Sequence, residues 1–397
     1  MRHTLIRPVL LGVAAAATVP VLAATASAAS ATVSASTGSA STVSAARTGA
    51  TGTPATVYVA PGGAAGAAGR SCATALYASV QAAVTAAPAG GTVIVCPGTY
   101  HESVTITKAL RLAGRPGATI DATGQSYGVG AAASYVTISG LTVRGASVGG
   151  TLADGIVTAG LVNGTMVAAD HVTVTGDTTE DNAGSGIDLN STSHSVAAGD
   201  RSTGNGVGIN VSDDFNRTAA DNAITGNVTN DNPGGCGIAL ADHTGHGIAH
   251  NRVTGNVSDD NGLGTASAAD ASAGSGVILA GATGGVFGNT VTGNVFDGNG
   301  HAGFDVHAHA PGMNLTGNVV TGNRIGVNNL RTSEGDTQTT GVYLGDASPL
   351  AITVEGNTIS GDHFGIFTAG GPVTVHGADQ NHFQHVTSPS GSSPTFS

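Results

Sequence analysis

The stretch that decides the fold is His301–Leu330, HAGFDVHAHAPGMNLTGNVVTGNRIGVNNL, because it contains two short elements that recur along the chain. The first is a glycine followed by an apolar strand, here beginning at Gly303. The second is Asn-x-[Val/Ile]-[Thr/Ser]-Gly-[Asn/Asp], here beginning at Asn318. One such unit is too small to bury its own apolar side chains, so the pattern predicts a stack of similar coils.

Both elements recur from about Tyr135 onward. The glycine element begins at Gly155, Gly186, Gly208, Gly237, Gly276, Gly303, Gly341 and Gly365, and the asparagine element at Asn222, Asn251, Asn289, Asn318 and Asn357. Successive glycine elements are 22 to 39 residues apart, so the short spacings match one coil and the long ones imply an inserted loop. We expect each coil to bury Ile or Val and to stack Asn and Gly at its corners. Gly326 competes with Gly341 as the start of the coil after Gly303.

The composition agrees with many short strands joined by tight turns. The chain has 63 glycines, 4% aromatic residues and 10% charged residues, and Leu76–Ala87 is its one useful amphipathic helical run. The net charge is -12 and Lys108 is the single lysine, so phosphate binding and a nucleic-acid partner are not expected. An anionic polysaccharide would need help from a few arginines or from a bound cation.

Residues 1–28 have the pattern of a secretory signal peptide. Arg2 and Arg7 precede the apolar run Val9–Leu22, and Ala26-Ser27-Ala28 forms a small-residue cleavage site. No later segment is apolar enough to span a bilayer. We therefore expect a secreted, extracellular protein that does not insert into membranes and is a monomer.

The rest of the chain divides by composition. Residues 29–55 are rich in Ala, Ser and Thr and are expected to form a disordered linker, residues 56–386 the repeat domain, and residues 387–397 a disordered tail. In an exported chain, Cys72 and Cys96 are candidates for a disulfide across one short segment, and Cys236 is expected to be a buried thiol.

The start of the ordered region resembles that of known proteins. Ser79-Val80-Gln81-Ala82-Ala83-Val84, Gly91-Thr92-Val93-Ile94-Val95 and Pro97-Gly98-Thr99-Tyr100-His101-Glu102 are similar to the opening of right-handed parallel β-helix proteins, such as pectin methylesterases and nitrous-oxide-reductase accessory proteins. The resemblance implies an all-β, single-stranded right-handed parallel β-helix with a short N-terminal capping helix. The later catalytic motifs of the esterases are not found, so it implies the fold and not esterase activity.

Asp305, His307 and His309 occupy alternate positions and would share one face of a strand, with Phe304 and Val306 facing the core. Aligning the glycine elements places side chains in rows along the outer face of the stack. The row two residues after each glycine contains Asp188, Asn210, Ala239, Ile278, Asp305, Tyr343 and Phe367, and the row four residues after contains Asn190, Ser212, Ala241, Ala280, His307, Gly345 and Ala369. The second row predicts a shallow trough in which His307 is the one large side chain.

Two insertions are expected to bracket this trough, one over residues 262–275 and one over residues 331–340. Insertions on one face of a repeat protein often mark its binding surface. If Gly326 starts the following coil instead of Gly341, Asn328 replaces Tyr343 beside Asp305.

Gly303-Phe304-Asp305-Val306-His307 resembles the Gly-Phe-Asp-Pro-His motif of mannuronan C5-epimerases, which are β-helix enzymes acting on alginate. The resemblance implies that His307 is the general base, oriented by Asp305. The tyrosine that precedes the motif in that family is Ala302 here, which leaves Tyr343 as the candidate acid. A lysine of that family has no counterpart, so Arg324 or Arg331 would neutralise the uronate carboxylate. His309 and Asn328 complete the candidate substrate-binding residues.

Other interpretations remain open. Asp213-Asp214, Gly245-His246-Gly247 and Asp188 are similar to polygalacturonase, which would make the protein a glycoside hydrolase. His307 and His309 could ligate a transition metal, although solvated histidines explain them as well, and no metal site is assigned. Asp259-Asp260-Asn261 is a candidate Ca²⁺ site, and turn stabilisation explains it equally well.

These observations predict a β-helix that binds an extracellular uronate-type polysaccharide and modifies it by proton abstraction, as a lyase or an epimerase. The alternative is a non-catalytic carbohydrate-binding or structural β-helix. The absence of tryptophan favours the alternative, because sugar-stacking rings are scarce.

Overall fold

The computed structural model describes residues 56–148, 152–264, 274–281, 284–308, 311–331, 338–347 and 349–393. All of them belong to one compact unit, Gly52–Ser397. The predicted signal peptide and linker, residue His309, and most of both predicted insertions lie outside the described residues. No helix in the described ranges is long and apolar enough to cross a membrane.

The described chain consists almost entirely of short strands. In chain order the first are β1 (Thr56–Val59), β2 (Thr92–Val95), β3 (Gly98–Tyr100), β4 (Val104–Ile106), β5 (Arg111–Gly114), β6 (Ala118–Asp121), β7 (Tyr127–Ala131), β8 (Thr137–Ser139), β9 (Thr142–Arg144), β10 (Asp154–Val157), β11 (Ala159–Val162), β12 (Thr165–Ala168), β13 (Thr173–Thr175), β14 (Thr178–Glu180), β15 (Ser185–Asn190), β16 (Val196–Ala198), β17 (Arg201–Thr203), β18 (Val207–Ser212) and β19 (Ala219–Ala220).

They are followed by β20 (Ala223–Thr225), β21 (Val228–Thr229), β22 (Ile238–Asp242), β23 (Ile248–Ala249), β24 (Arg252–Thr254), β25 (Val257–Asp259), β26 (Val277–Gly281), β27 (Val286–Phe287), β28 (Thr290–Thr292), β29 (Val295–Asp297), β30 (Phe304–Ala308), β31 (Val319–Thr321), β32 (Arg324–Ile325), β33 (Thr340–Asp346), β34 (Leu350–Glu355), β35 (Thr358–Ser360), β36 (Phe364–Gly370), β37 (Val373–His376), β38 (His382–Gln384) and β39 (Ser388–Ser393). The helical elements are α1 (Val80–Ala86) and two 3-10 turns, Cys72–Thr74 and Ala378–Gln380.

Three long parallel sheets run the length of the stack, because each coil contributes one strand to each sheet. The first sheet has the order β1-β2-β5-β8-β13-β16-β20-β24-β28-β31-β34-β37, the second β3-β6-β9-β14-β17-β21-β25-β29-β32-β35-β38, and the third β4-β7-β10-β15-β18-β22-β26-β30-β33-β36-β39. A three-stranded sheet, β19-β23-β27, and the antiparallel hairpin β11-β12 complete the described strands. This topology confirms the predicted parallel β-helix.

Val, Ile and Leu side chains from all three sheets fill the interior as one continuous core. Helix α1 covers the N-terminal end, as predicted. Its N-terminus is held by Glu102, whose carboxylate accepts backbone hydrogen bonds from Val80 (2.7 Å) and Gln81 (3.0 Å). Cys72 and Cys96 form the expected disulfide nearby, and Cys236 is buried and outside any disulfide.

Buried polar ladders hold the corners of the stack together. In each ladder a backbone N–H donates to the side-chain oxygen of the equivalent residue one coil further on. The longest runs through Asp177, Asp200, Asn227, Asn256, Asn294, Asn323, Asn357 and Asn381. A second runs through Asn182, Asn205, Asn232, Asn261, Asn299, Asn328 and Asp362, and a third through Ser195, Asn222, Asn251, Asn289 and Asn318.

The chain end differs from the prediction. Residues 388–393, expected within a disordered tail, form β39 and pair in parallel with β36 from Phe364↔Ser388 to Ala369↔Ser393. The segment has no apolar alternation to signal a strand, but backbone pairing with an exposed strand edge does not require one.

The ladder aspartates generate a stability prediction. Burial raises the pKa of Asp200 to about 7, above the value of about 3.9 expected when the chain is unfolded. The folded protein therefore holds this proton more tightly, and the stabilisation is complete below about pH 4 and is lost as the pH rises to about 7. Burial likewise raises the pKa of Asp177 and of Asp362 to about 8.

We expect Asp200→Asn to raise the free energy of unfolding at pH 8 by on the order of 1 kcal/mol, and to change it less at pH 4.5. An asparagine can donate as well as accept: Asn227, the ladder residue one coil further on, donates from Nδ2 to the Ala197 carbonyl of the preceding coil at 3.0 Å. Urea unfolding at the two pH values measures the effect. A variant with the same pH slope as the wild type would contradict this account.

Candidate functional site

The outer face of the third sheet carries the predicted rows in the predicted register. Asp188 pairs with Asn210, then Ala239, Ile278, Asp305, Tyr343 and Phe367 follow coil by coil. The coil after Gly303 therefore starts at Gly341, and Gly326 is excluded. Asp305 and His307 are not solvated surface residues. The exposed fraction is 0% for Asp305 and 5% for His307.

Asp305 is bonded to groups from two coils. His301 Nδ1 lies 3.0 Å from Asp305 Oδ2, and the Ser275 hydroxyl donates to the same oxygen at 3.0 Å. Ser275 Oγ is also 3.3 Å from His301 Nδ1. Asp305 Oδ1 is buried and has no hydrogen-bond partner among the described residues. We call His301, Asp305, His307 and Ser275 the histidine centre.

The sequence predicted that Asp305 orients His307. In the structure, the Asp305 carboxylate contacts His301 and Ser275. His301 was missed because it lies before β30 (Phe304–Ala308), outside the strand positions from which the site was predicted. Gly303 faces inward, since a Cβ there would meet Ile325 and Asn328 at 2.7 and 2.9 Å, and Phe304 is also in the core. Two successive inward positions bring residues on either side of them to the same outer face.

Tyr343 lies beside the histidine centre, as the register predicted. It is fully buried, and its ring centroid is 5.1 Å from that of His301 in an edge-to-face arrangement. On its other side Tyr343 stacks on Phe367 at 5.9 Å. Ala302, Phe364 and Ala369 complete this aromatic cluster, which closes one end of the centre.

The two predicted arginines lie in different places. The Arg331 guanidinium packs against Gly274 and Gly300, next to Ser275 and His301 in sequence, so it borders the histidine centre. Arg324 begins β32 in the second sheet and lines a surface groove of about 370 Å³ with Asp259 and Asp297. The structure therefore places Arg324 on a different face from the histidine centre.

Asn328 is also not a substrate-binding residue. It is fully buried in the second ladder, where its side chain accepts from Asn299 and its Nδ2 donates to the carbonyls of Phe296 and Gly326. The side-chain oxygen and nitrogen of Asn328 are therefore both occupied by hydrogen bonds within the ladder. His309, the remaining predicted binding residue, lies outside the described residues.

A second cluster occupies the same face nearer the N-terminal end. Asn190 Nδ2 donates to Asp188 Oδ2 at 2.8 Å and to Asp214 Oδ2 at 2.9 Å, and Ser212 donates to Asp188 Oδ1 at 3.0 Å. Asp214 Oδ1 lies 2.8 Å from Nδ1 of His243, whose side chain is 48% exposed. The sequence paired Asp188 with Asp214 but selected His246, whose ring instead contacts Thr244 at 3.1 Å.

These carboxyl groups have different protonation preferences. Burial is the main cause that raises the pKa of Asp188 well above its usual value, followed by the charges of Asp154 and Asp214. Burial would also raise the pKa of Asp214, but the hydrogen bond and charge of His243 outweigh it and lower that pKa. The same hydrogen bond raises the pKa of His243. The pKa values of the two carboxyl groups are therefore shifted in opposite directions by their surroundings.

Asp213 belongs to the adjoining turn. Its carboxylate accepts from the backbone N–H groups of His243 (2.7 Å), Thr244 (3.0 Å) and His246 (2.8 Å). Burial opposes ionisation, yet a hydrogen bond from the Asp242 carboxyl and these N–H groups lower the pKa of Asp213 to about 2. Asp213 therefore stabilises the turn that presents His243.

The described residues do not form a metal centre. Among them no group of three or more His, Cys, Asp or Glu side chains is placed to hold a metal ion. In the candidate Ca²⁺ sequence, Asn261 is a buried ladder residue and Asp260 has a left-handed φ of 58°, as turn residues do. Turn formation accounts for this sequence.

A stack of coils with three parallel sheets and a polar outer face defines a right-handed parallel β-helix of the pectate-lyase-like class. The family model described as periplasmic copper-binding protein (NosD) matches residues 117–329, more than half of the chain, so the chain belongs to the NosD family. The described side chains do not fit the copper in that description, because no suitable group of ligands is present among them. A search of curated proteins found no match.

Solved structures agree on the fold. Pectate lyase Pel9A has a TM-score of 0.54 at 17% identity, over 82% of this chain and 78% of that chain. The alginate lyase from Paenibacillus sp. str. FPU-7 has a TM-score of 0.48 at 16% identity, over 80% and 96%. The A-module of mannuronan C-5 epimerase AlgE4 from Azotobacter vinelandii has a TM-score of 0.45 at 19% identity, over 79% and 94%. At 17% identity the likeness to pectate lyase Pel9A shows the fold alone.

The contacts of Asp305 predict a cost for removing its carboxylate. We expect Asp305→Ala to lower the free energy of unfolding by about 1–3 kcal/mol, because buried His301 and Ser275 each lose a hydrogen-bond partner. Urea unfolding measures the change. Asp379→Ala, at an exposed position, is the matched control and should change stability by less than about 0.5 kcal/mol. A similarly small loss for Asp305→Ala would contradict the described geometry.

Proposed function

We propose that this protein is exported, binds an extracellular polysaccharide that contains uronate units, and modifies it by proton transfer, as a lyase or an epimerase. The observation that carries the proposal is the His301–Asp305 pair, placed beside His307 and Tyr343 on the outer face of the third sheet. The family and the fold leave the reaction open, since one fold hosts many functions. Export rests on the sequence of residues 1–28.

The proposed proton transfer follows from the positions of Asp305, His301 and Arg331. Asp305 contacts Nδ1 of His301, which fixes the orientation of the ring and strengthens it as a base. The pair, or the neighbouring His307, takes the proton from the carbon next to the uronate carboxylate. Arg331 neutralises that carboxylate as negative charge develops on it.

Two outcomes then share one intermediate. If the sugar oxygen on the adjacent carbon leaves with the electron pair and receives a proton from Tyr343, the chain is cleaved and an unsaturated sugar results. If a proton returns to the same carbon from the opposite face, the sugar is epimerised and the chain stays intact. Epimerisation requires a base and an acid on opposite faces of the ring, whereas cleavage requires the acid within reach of the leaving oxygen.

The histidine centre is closed in this structure, since His301 is 2% exposed and His307 is 5% exposed. The proposal therefore includes an opening of this surface when the polysaccharide binds. A closed site suits the reaction once the sugar is inside, because excluding water strengthens the electrostatic interactions of Asp305 and Arg331.

Turnover on alginate and pectate tests the proposal. We expect unsaturated products, seen by ultraviolet absorbance, or an altered epimer ratio, seen by NMR. His301→Ala and His307→Ala should each reduce the rate by about 10²-fold or more, the usual contribution of an acid–base group. His246→Ala, an exposed histidine outside the centre, is the matched control and should keep the wild-type rate.

No turnover on any uronate polymer by folded protein would overturn the catalytic proposal. Binding of the same polymers without turnover would then favour the non-catalytic β-helix, which the low aromatic content also suits.

A further inference from the structure

The second cluster on the third sheet is not used by the proposed reaction. It consists of Asp154, Asp188, Asn190, Asp214 and His243, and we call it the aspartate centre. Asp214 and His243 reach the surface, with side chains 16% and 48% exposed, while Asp154 and Asp188 are each 1% exposed behind them. The centre is therefore an exposed carboxylate–imidazole pair backed by buried carboxyl groups.

The aspartate centre has more hydrogen-bond acceptors than donors. Asp154 Oδ1 accepts from the Ser185 backbone at 2.7 Å, but its Oδ2 is buried without a partner in the described part of the chain. The two donors that reach Asp188 are Asn190 and Ser212, and Asn190 is shared with Asp214. Asp214 is the acceptor of this centre that reaches the surface, so the surface favours a ligand that supplies hydrogen-bond donors.

The charges around the centre select against anions. Asp154 and Asp214 act electrostatically on Asp188, and Asp213 lies in the turn below His243. Nδ1 of His243 is already committed to the Asp214 carboxylate at 2.8 Å, and this hydrogen bond raises the pKa of His243. The Nε2 edge of His243 is then the part of the ring that faces away from Asp214. A sugar with hydroxyl groups suits these groups, whereas a uronate carboxylate would be repelled.

The aspartate centre and the histidine centre lie on one continuous face. Asp188 and Asp305 occupy the same row, four strand spacings apart, which corresponds to about 19 Å. Between them the same face of the sheet carries a small apolar cluster of Cys236, Ala239 and Ile278, which are mostly buried, with Ala280 packed against them. An extended polysaccharide lying along the stack could contact both centres.

We propose that the exposed Asp214–His243 pair binds neutral, hydroxyl-bearing sugar units of the polysaccharide whose uronate units reach the histidine centre. The ligand of the whole face is then a mixed polymer and not a pure polyuronate. This inference rests on the proposed polysaccharide partner, but it does not depend on any reaction at His301.

NMR titration of the full chain tests the site through the ring resonances of His243. The probes are neutral hexasaccharides (cellohexaose, xylohexaose and mannohexaose), hexagalacturonate and the hexamer of glucosamine. We expect at least one neutral hexamer to shift the His243 signals in a saturable way. Asp214→Asn and His243→Ala should each weaken its binding tenfold or more, with both variants still folded by thermal unfolding.

His246→Ala is the matched control, since His246 is exposed on the same turn but contacts Thr244 instead of Asp214. It should leave the affinity within twofold of the wild type, as should His301→Ala. Tighter binding of hexagalacturonate at His243, binding of the glucosamine hexamer alone, or no response to any probe would each overturn the inference. Loss of turnover in His301→Ala with intact binding at His243 would separate the two proposals.

Discussion

The structure depends on hydrogen bonds that run along the stack between buried asparagine side chains. Each ladder residue closes a tight corner, and its side-chain oxygen accepts the backbone N–H of the same corner in the preceding coil, as Asn294 does for Asn256 at 2.8 Å. Its Nδ2 donates to a carbonyl that the corner would otherwise leave unpaired, as Asn294 does to Val253 at 3.0 Å. Because a buried corner has no water to satisfy these groups, the fold requires an amide at nearly every coil.

This constraint explains why so much of the architecture could be predicted. The asparagine element and the glycine element each contain a residue that cannot be substituted freely without disturbing the stack. A Cβ on Gly276, for example, would lie 2.6 Å from the Gly303 carbonyl of the next coil. Such positions repeat at the spacing of the coil and are visible in the sequence. The strand register, the inward Val and Ile side chains and the pairing of Asp305 with Tyr343 all follow from aligning them.

The contents of the site were harder to predict, for a geometric reason. The repeat does not constrain the identity of the side chains on the outer face. The sequence pattern therefore does not distinguish a buried outer residue from a solvated one. His301 lies before β30 and not within it, so a prediction based on the strand residues did not include it. Asn328 was mistaken for a binding residue because ladder asparagines and ligand-binding asparagines look alike in sequence. Arg324 was near His307 in sequence, yet β31 and the corners on either side of it separate their strands, which belong to different sheets.

Because the repeat leaves the outer-face side chains unconstrained, one face carries two carboxylate–histidine pairs whose electrostatic surroundings differ. His301 and Asp305 are buried beside Arg331 and an aromatic cluster, where we propose that the uronate carboxylate meets a cationic neighbour. His243 and Asp214 are open to solvent in front of further carboxyl groups, where an anion meets repulsion. A polymer that satisfies both must change its charge along its length, and it can then bind in one direction only. Since the ladders hold the two centres at a fixed separation, the fold itself would set the spacing between neutral and acidic units that the protein recognises.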